Sequence, residues 1–382
     1  MKILYITTAM DKNDYKDYVT CWSRFPNPSN QNFHNKLIRS LSLTNEVLVL
    51  SIRPFSKKLC NVKQLNREIK VVDNITWNYI AIKGNKFLRY AKVSSEIKAF
   101  LKNNNLKDYI ILSDTINPLC IKSATYISKK KNIPLIGICT DSPSNIAGTS
   151  RSYTMYLIKK SNKCNGYIAL TEELKELFNE NEKPSLIIEG VIENKEVDET
   201  MNIKKPYIFF GGALLERYGV YSLIEAYKQL NNNDIDLYIA GHSGNFDKIK
   251  NVIKDNNNIH FLGTIDVDEV LKYEKGALIN INPRPYSEDL DRFSIPSKTI
   301  EYLLSENLTI SVRNTKLQQY FMDEIIWAKS SEVKDLKEAI EKALKMSEEE
   351  RKTLSKKAKE KALNLYSLNK VNLKISKFLT LF

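Results

Sequence analysis

Short unbroken apolar runs alternate with amphipathic stretches along most of the chain. The runs KILYIT (2–7), EVLVLSI (46–52), DYIILS (108–113), PLIGIC (134–139), GYIAL (166–170) and SLIIE (185–189) read as strands. Runs without polar alternation suit parallel strands covered on both faces. Helical periods fill the intervals: FHNKLIRSLS (33–42), AKVSSEIKAFLK (91–102), CIKSATYISKK (120–130) and TEELKELFN (171–179). After a polar link, VIENKEVDETMNIKKP (191–206), the alternation restarts with YIFFGG (207–212), YSLIEAYKQL (221–230) and IDLYIAG (235–241). It continues with a helix at 245–255, NIHFLG (258–263), a helix near 267–274 and ALININP (277–283). Two successive βαβα series predict two doubly wound, Rossmann-like α/β domains with the link as hinge. From about 332 onward the chain is expected to be helical, with Val333, Leu336, Ile340 and Leu344 on one face. The segment 12–32 lacks either period and is expected to be a long loop at the carboxyl end of the first strand, where ligands of parallel sheets bind.

Composition narrows the function classes. A chain of 382 residues, 42% apolar and 27% charged, is globular and long enough for two cores. No apolar run approaches the roughly 18–20 residues of a membrane span, and the N-terminus lacks the pattern of a signal peptide. The five cysteines show no CxxC spacing and read as thiols of a reducing cytosol. Three scattered histidines make a zinc site improbable. The net charge of +13 favours an anionic partner: nucleic acid, an anionic membrane face or a phosphorylated substrate. The basic residues are mainly scattered lysines and no nucleic-acid module is evident, so nucleic acid is not expected.

There is no GxGxxG, no GxxxxGK[ST] and no GxSxG, which argues against a dehydrogenase, a P-loop enzyme and an α/β-hydrolase. Of two acidic triplets, Asp266-Val-Asp268 reads as a helix start, and Asp289-Leu-Asp291 lies in a loop where a metal is conceivable. Chemistry concentrates instead in RFSIPSKTIEYL (292–303). Pro296 suits a first helical turn, and Ile300, Leu303 and Leu304 would face the core. Ser297, Lys298 and Glu301 then share one flank at the carboxyl end of a strand. First-turn N–H groups, Ser297 and Lys298 would hold a phosphate, and Glu301, one turn deeper, both hydroxyls of a ribose.

FSIPSKTIEYLLSEN resembles the FPSK–xx–EY region of retaining glycosyltransferases of family 4, which have the GT-B fold, most closely in the branch that builds bacterial surface polysaccharides. YIFFGGALLERYGVYSLIEAY, IDLYIAGHSG, NIHFLGTIDVDEVLKYEKGALININPR and KLQQYFMDEIIW resemble other parts of that family in the same order. The resemblance implies two Rossmann-like domains facing a central cleft. Residues 1–190 would take the acceptor and 191–365 the nucleotide-sugar donor, with a closing helix at 366–382 packing back on the first domain. It also implies Lys298 and Arg217 at the diphosphate, Glu301 at the ribose, and Gly211 and Gly212 where the backbone approaches phosphate. Arg217 fits only with a one-residue shift. Asp141, in ICTDSPSN, would lie near the acceptor. Phe293 stands where relatives often carry a first Glu, and the glycine-rich loop after the first strand is missing. The expected function is retaining transfer of a sugar from a UDP- or GDP-linked donor, without metal or other cofactor. The acceptor would be a glycan or lipid-linked oligosaccharide, at the cytoplasmic face of an anionic membrane. Two alternatives are another nucleotide-sugar enzyme of this shape (an epimerase or phosphorylase) and a non-enzymatic, basic nucleic-acid-binding protein. A phosphorylase calls for a pyridoxal-phosphate lysine, for which no site is evident.

Overall fold

The structure, a computed structural model, describes residues 1–20, 28–55, 63–145, 149–195 and 199–382. They gather into two compact units: Met1–Glu193 with Arg292–Ser294 and Tyr366–Phe382, and Asn194–Asp291 with Ile295–Leu365.

The strands of the first unit are β1 (Lys2–Thr7), β2 (Glu46–Ser51), β3 (Gln64–Leu65), β4 (Glu68–Val72), β5 (Ile75–Tyr79), β6 (Ile82–Lys83), β7 (Tyr109–Asp114), β8 (Leu135–Cys139), β9 (Gly166–Ala169) and β10 (Ser185–Ile187). Among the described residues eight of them form one sheet in the order β10-β9-β8-β7-β1-β2-β5-β4, and β3 pairs with β6 apart from it. The helices are α1 (Lys12–Thr20), α2 (Pro28–Ser42), α3 (Lys86–Asn103), α4 (Pro118–Lys131), α5 (Arg151–Ser161) and α6 (Glu172–Phe178). Alternate side chains of each strand serve opposite faces. Leu4, Ile6 and Ile111 pack with Ile97 of α3, Ile121 of α4, Leu157 of α5 and Leu174 of α6. Ile3, Tyr5 and Val49 pack with Leu37 of α2 and with Ile375 and Phe378 of the last helix of the chain, Leu368–Leu379. Helices therefore cover both faces, and this is why the strands read as continuous apolar runs.

Three sequence expectations change. The segment 12–32 is not a long loop: α1 and the start of α2 are helical, and residues 21–27 lie outside the described part. Tyr15 and Tyr18, three residues apart, pack against the core and give α1 the apolar stripe its polar composition hides. The hairpin β4–β5, antiparallel, escapes the apolar-run pattern because Glu68 and Lys70 interrupt its first strand. Its turn residues Asp73 and Asn74 both have positive φ, 50° and 62°, as a two-residue type I′ turn requires. Finally, α5 is a helix that the periodicity does not predict.

The second unit holds β11 (Tyr207–Leu214), β12 (Asp236–Gly244), β13 (Ile259–Gly263), β14 (Ile279–Asn282), β15 (Leu308–Val312) and β16 (Ile326–Ala328). All pair in parallel in the order β13-β12-β11-β14-β15-β16. The remaining helices are α7 (Val220–Lys228), α8 (Phe246–Ile253), α9 (Val267–Gly276), α10 (Glu288–Phe293), α11 (Ser297–Tyr302), α12 (Thr315–Phe321), α13 (Val333–Lys345), α14 (Glu348–Tyr366) and α15 (Leu368–Leu379), the last helix already placed on the first unit's sheet. Ile208 and Phe210 of β11 face α7, α8 and α13, whereas Tyr207 and Phe209 face α9. The β11 run is thus buried on both sides, like the strands of the first unit.

Ile375 is fully buried against the first unit's sheet. Ile375→Ala is expected to cost about 2–5 kcal/mol, seen as a lower urea midpoint at unchanged slope. An unaltered midpoint would show that α15 adds nothing to that core.

Candidate functional site

In the second sheet β11 has β12 on one side and β14 on the other. The chain leaves β11 in one direction and later returns on its opposite side. The segments that follow β11 and β14 therefore diverge from the carboxyl edge at the point where strand order reverses, and such a point opens a crevice for ligands. Gly219 shows how closely these segments approach. It precedes α7 with φ +81°, and a Cβ there would lie 2.2 Å from the carbonyl oxygen of Pro283, just after β14. Only glycine fits this position. The sequence pattern favours Gly211 and Gly212 and gives no sign of Gly219. Gly211 instead serves the packing of α11. Its N–H donates to the Tyr302 hydroxyl at 3.0 Å, and that hydroxyl donates back to its carbonyl at 3.3 Å. The Gly211 amide is thereby occupied, and Gly212 lies half-buried one residue on.

The helix α11 begins directly after Pro296, which is buried and stands one position before the first turn instead of within it. Ile300, Tyr302 and Leu303 anchor the segment in the core. Thr299 is buried too and bonds Asn282 of β14 at 2.9 Å and Ser311 of β15 at 3.0 Å, fixing the helix to the strands beneath. Leu304, expected in the core, is only partly buried. The opposite flank carries Ser297, exposed, with Lys298 and Glu301.

Lys298 is the centre of the charge cluster. Its Nζ lies 3.2 Å from Glu301 and 3.3 Å from Glu274 of α9. Burial by itself weakens the ammonium's hold on its proton; Glu274 and then Glu301 more than offset this, so its pKa is raised. A raised ammonium keeps its stabilising charge through neutral and mildly alkaline pH and loses it only above the ordinary lysine range. Glu274 is 3% exposed, and pairing with that cation offsets part of the cost of burying its carboxylate. His242, near the end of β12, is held below its ordinary value, first by burial and then by Lys298. A cation, two carboxylates and a histidine that favours its neutral form thus meet at the edge of three adjacent strands. Neither Glu274 nor His242 stands out in the sequence. Glu274 sits in a helix whose many charges read as solvated, whereas His242 could have been found from its place after the run IDLYIA.

The other expected residues fall as follows. Arg217 lies in the short turn after β11, exposed, with its guanidinium 5.1 Å from the Tyr218 ring centroid. Phe293 belongs to the first unit, where its ring packs on the core shared with α3–α6. Asp141 is also in the first unit and closes the turn after β8, accepting from Ser142 N at 2.7 Å and Asn145 Nδ2 at 3.1 Å. The structure therefore unites Lys298, Glu301, Ser297 and Pro296 on one short helix, with Gly211, Gly212 and Arg217 along the neighbouring strand end, but not Phe293 or Asp141 within that unit. Asp266 starts α9, its N–H donating to Glu269 at 3.3 Å, as a helix start should. Asp291 organises its own loop, accepting from Ser287 N at 2.8 Å and Asn314 Nδ2 at 3.1 Å. Among the described residues no group of three or more His, Cys, Asp or Glu side chains is placed to hold a metal.

Residues 191–361 match the family model of glycosyl transferases group 1. No curated protein matches the chain in sequence. Among solved structures it resembles a sucrose-phosphate synthase of Thermosynechococcus elongatus, at 14% identity and TM-score 0.72, over 100% of this chain and 99% of that one. A trehalose-6-phosphate enzyme from E. coli bound with UDP-2-fluoro glucose matches at 11% identity and TM-score 0.68, over 99% and 98%. A UDP-forming α,α-trehalose-phosphate synthase from Burkholderia xenovorans, solved with glucose-6-phosphate, matches at 8% identity and TM-score 0.68, over 99% of both chains. The fold is that of GT-B glycosyltransferases, and with the matched domain it marks the chain as a glycosyltransferase.

Removing Lys298 should destabilise the second unit, because the buried Glu274 carboxylate would lose an ion-pair partner. Lys298 is itself 36% exposed, so the expected cost of Lys298→Ala is about 1–3 kcal/mol, below the ~3–5 of a fully buried pair. Adding Glu274→Gln should recover most of the loss in urea unfolding. If the double variant is no more stable than the single one, Glu274 does not depend on Lys298.

Proposed function

We propose that the chain moves a sugar, with retention of anomeric configuration, from a UDP- or GDP-linked donor to a glycan or lipid-linked oligosaccharide acceptor in surface polysaccharide synthesis. It would work as a family 4 enzyme at the cytoplasmic face of the membrane. The observation that carries the donor half is the pairing of Lys298 with Glu301 on a helix leaving the strand-order reversal of the domain that matches the glycosyl transferase model.

The chemistry follows from charge. Breaking a sugar–diphosphate bond leaves cationic character on the sugar and negative charge on the departing phosphate. An ammonium has three N–H donors. Glu274 and Glu301 take two of those of Lys298, and the third is directed to a phosphate oxygen of the donor. Arg217, on its exposed turn, supplies the second positive charge, and Ser297 and the backbone at Gly212 add hydrogen bonds. Glu301 accepts from the two ribose hydroxyls, its position held by the ion pair. Pro296 sets the start of the helix that presents these groups. Preorganised cations of this kind lower the barrier without a metal. No protein nucleophile is assigned. Asp141 is the acceptor-side residue in this reading, and Phe293 replaces a carboxylate that relatives direct to the donor sugar.

A second reading concerns the acceptor alone. One similar structure was solved with glucose-6-phosphate, and a soluble sugar phosphate is the acceptor this would suggest. Product formation with glucose-6-phosphate, but not with a lipid-linked glycan, would favour it over the first.

Glu301→Ala should weaken UDP or GDP binding at least about tenfold by titration calorimetry, since hydrogen bonds to a charged acceptor are worth about 1.5–3 kcal/mol each. Wild-type affinity in a folded variant would remove the ribose role. Turnover of Lys298→Ala should fall by on the order of 10²–10³. Activity should survive EDTA, and a complete loss restored by added metal would overturn the metal-free account.

A further inference from the structure

The lysines are spread along the sequence, but the net positive charge of the chain gathers on three helices of the first unit, which the scattered pattern does not reveal. The three helices α3, α4 and α5 carry twelve Lys and Arg residues and a single carboxylate, Glu96. They hold a net +11 of the chain's +13, and the remaining forty-six basic and forty-four acidic residues nearly cancel. Glu96 does not dilute the surface charge, because it is buried and paired with Arg67 and Lys92, each at 2.8 Å. The lysine-rich α13 and α14 differ: their cations pair with acids at helical spacing, as in Lys337–Glu341 and Lys352–Glu348.

These helices lie side by side on one face of the first sheet. Their outer surface exposes Lys122, Lys129, Lys130, Lys131, Arg151 and Lys159. It also exposes apolar side chains: Phe87 is 86% exposed, Met155 56% and Leu88 52%, with Tyr90, Tyr126 and Tyr156 at 38% each. The two sets interleave. Lys122 Nζ lies 5.6 Å from the Tyr90 ring centroid, joining α4 to α3, and Lys160 Nζ is at the same distance from Tyr156. Burial raises the Tyr153 and Tyr156 phenols, and Tyr90 raises both further, while α4 packs on both α3 and α5. Phe87 and Leu88 are held rigidly, because Asn85 accepts from both their N–H groups at 3.0 and 3.3 Å.

We propose that the outer face of α3, α4 and α5 docks on an anionic lipid bilayer, with Phe87, Leu88 and Met155 entering the headgroup layer and the lysines above the lipid phosphates. The proposal rests on the membrane-borne acceptor of the preceding reading and assigns the surface that meets the membrane. Charge complementarity commits the face to lipid. Exposed phenylalanine, leucine and methionine gain from burial in an acyl boundary, and lysine point charges suit a diffuse anionic plane. Arginine, with its planar fork, is the cation better suited to nucleic-acid recognition, and ten of these twelve cations are lysines. No helix among the described residues is long and apolar enough to cross a membrane, so this contact is peripheral.

Flotation of the full chain with vesicles tests the assignment. Vesicles of phosphatidylcholine with about 30% phosphatidylglycerol should bind the chain, and pure phosphatidylcholine should not. Lys122→Glu with Lys159→Glu should weaken binding on the order of a hundredfold or more, and Phe87→Ser with Leu88→Ser about tenfold. Lys334→Glu with Lys352→Glu, on α13 and α14, should leave it unchanged. UDP and GDP affinity should be unaltered in every variant, so a failed vesicle result leaves sugar transfer standing. Equal binding to neutral vesicles, or equal weakening by the α13–α14 pair, would overturn the proposal. So would an oligonucleotide that binds through the same lysines while vesicles do not.

Discussion

A parallel strand can be extended only by carrying the chain back to the same end of the sheet, and each return lays a helix over one face. Both units obey this constraint, and most of the structure follows from it. Apolar side chains on both faces of β1 or β11 must be buried, so the strands are short and continuous in hydrophobicity. In the second unit, where all strands are parallel, every turn that follows a strand collects at one edge, and the strand-order reversal beside β11 separates two of those turns. Lys298 and Glu301 stand on one side of that reversal, Gly219 and Arg217 on the other.

What can be read from the sequence is set by the same constraint. The runs 46–52 and 134–139 announce parallel strands because burial on both faces leaves no polar alternation to confuse them. The hairpin at β4–β5 breaks that rule, since its edge strand leaves Glu68 exposed and pairs the half-buried Lys70 with Asp14. Its Asp-Asn turn is the one local signal that marks it. In the site, Lys298 and Glu301 are legible from helical spacing alone, since three residues on a helix bring two side chains together. Glu274 is not, because it comes from another helix, and its meeting with Lys298 depends on how α9 and α11 lie over the sheet. Phe293 shows the opposite case: three residues from Pro296 in sequence, it belongs to a different core.

The Tyr302 hydroxyl shows how closely site and core are joined. It occupies both the N–H and the carbonyl of Gly211, and its pKa is raised chiefly by burial. A glycine here has a packing reason as well, since a Cβ would sit 2.9 Å from the Phe209 ring. Gly211 is small so that an aromatic from α11 can lock the strand end. The helix bearing Lys298 is thus tied to β11 through Tyr302 and to β14 and β15 through Thr299.

This anchoring explains why a buried carboxylate is tolerated beside the proposed phosphate position. Glu274 would repel a diphosphate if it stood alone. Paired with Lys298 it instead holds the ammonium at a fixed point, reducing the entropy lost when a donor is gripped. With Glu301 as a second partner, the ammonium is shared, and the local charge is negative until Arg217 is counted. In the proposed reading a dianionic group would therefore call on Arg217, which lies on an exposed turn, to complete the site. In the same reading the anchored helix would recognise the ribose, while the half that must neutralise charge would include a side chain on an exposed turn. Such a division suits a transferase that must hold a nucleotide firmly and release it after the sugar has gone.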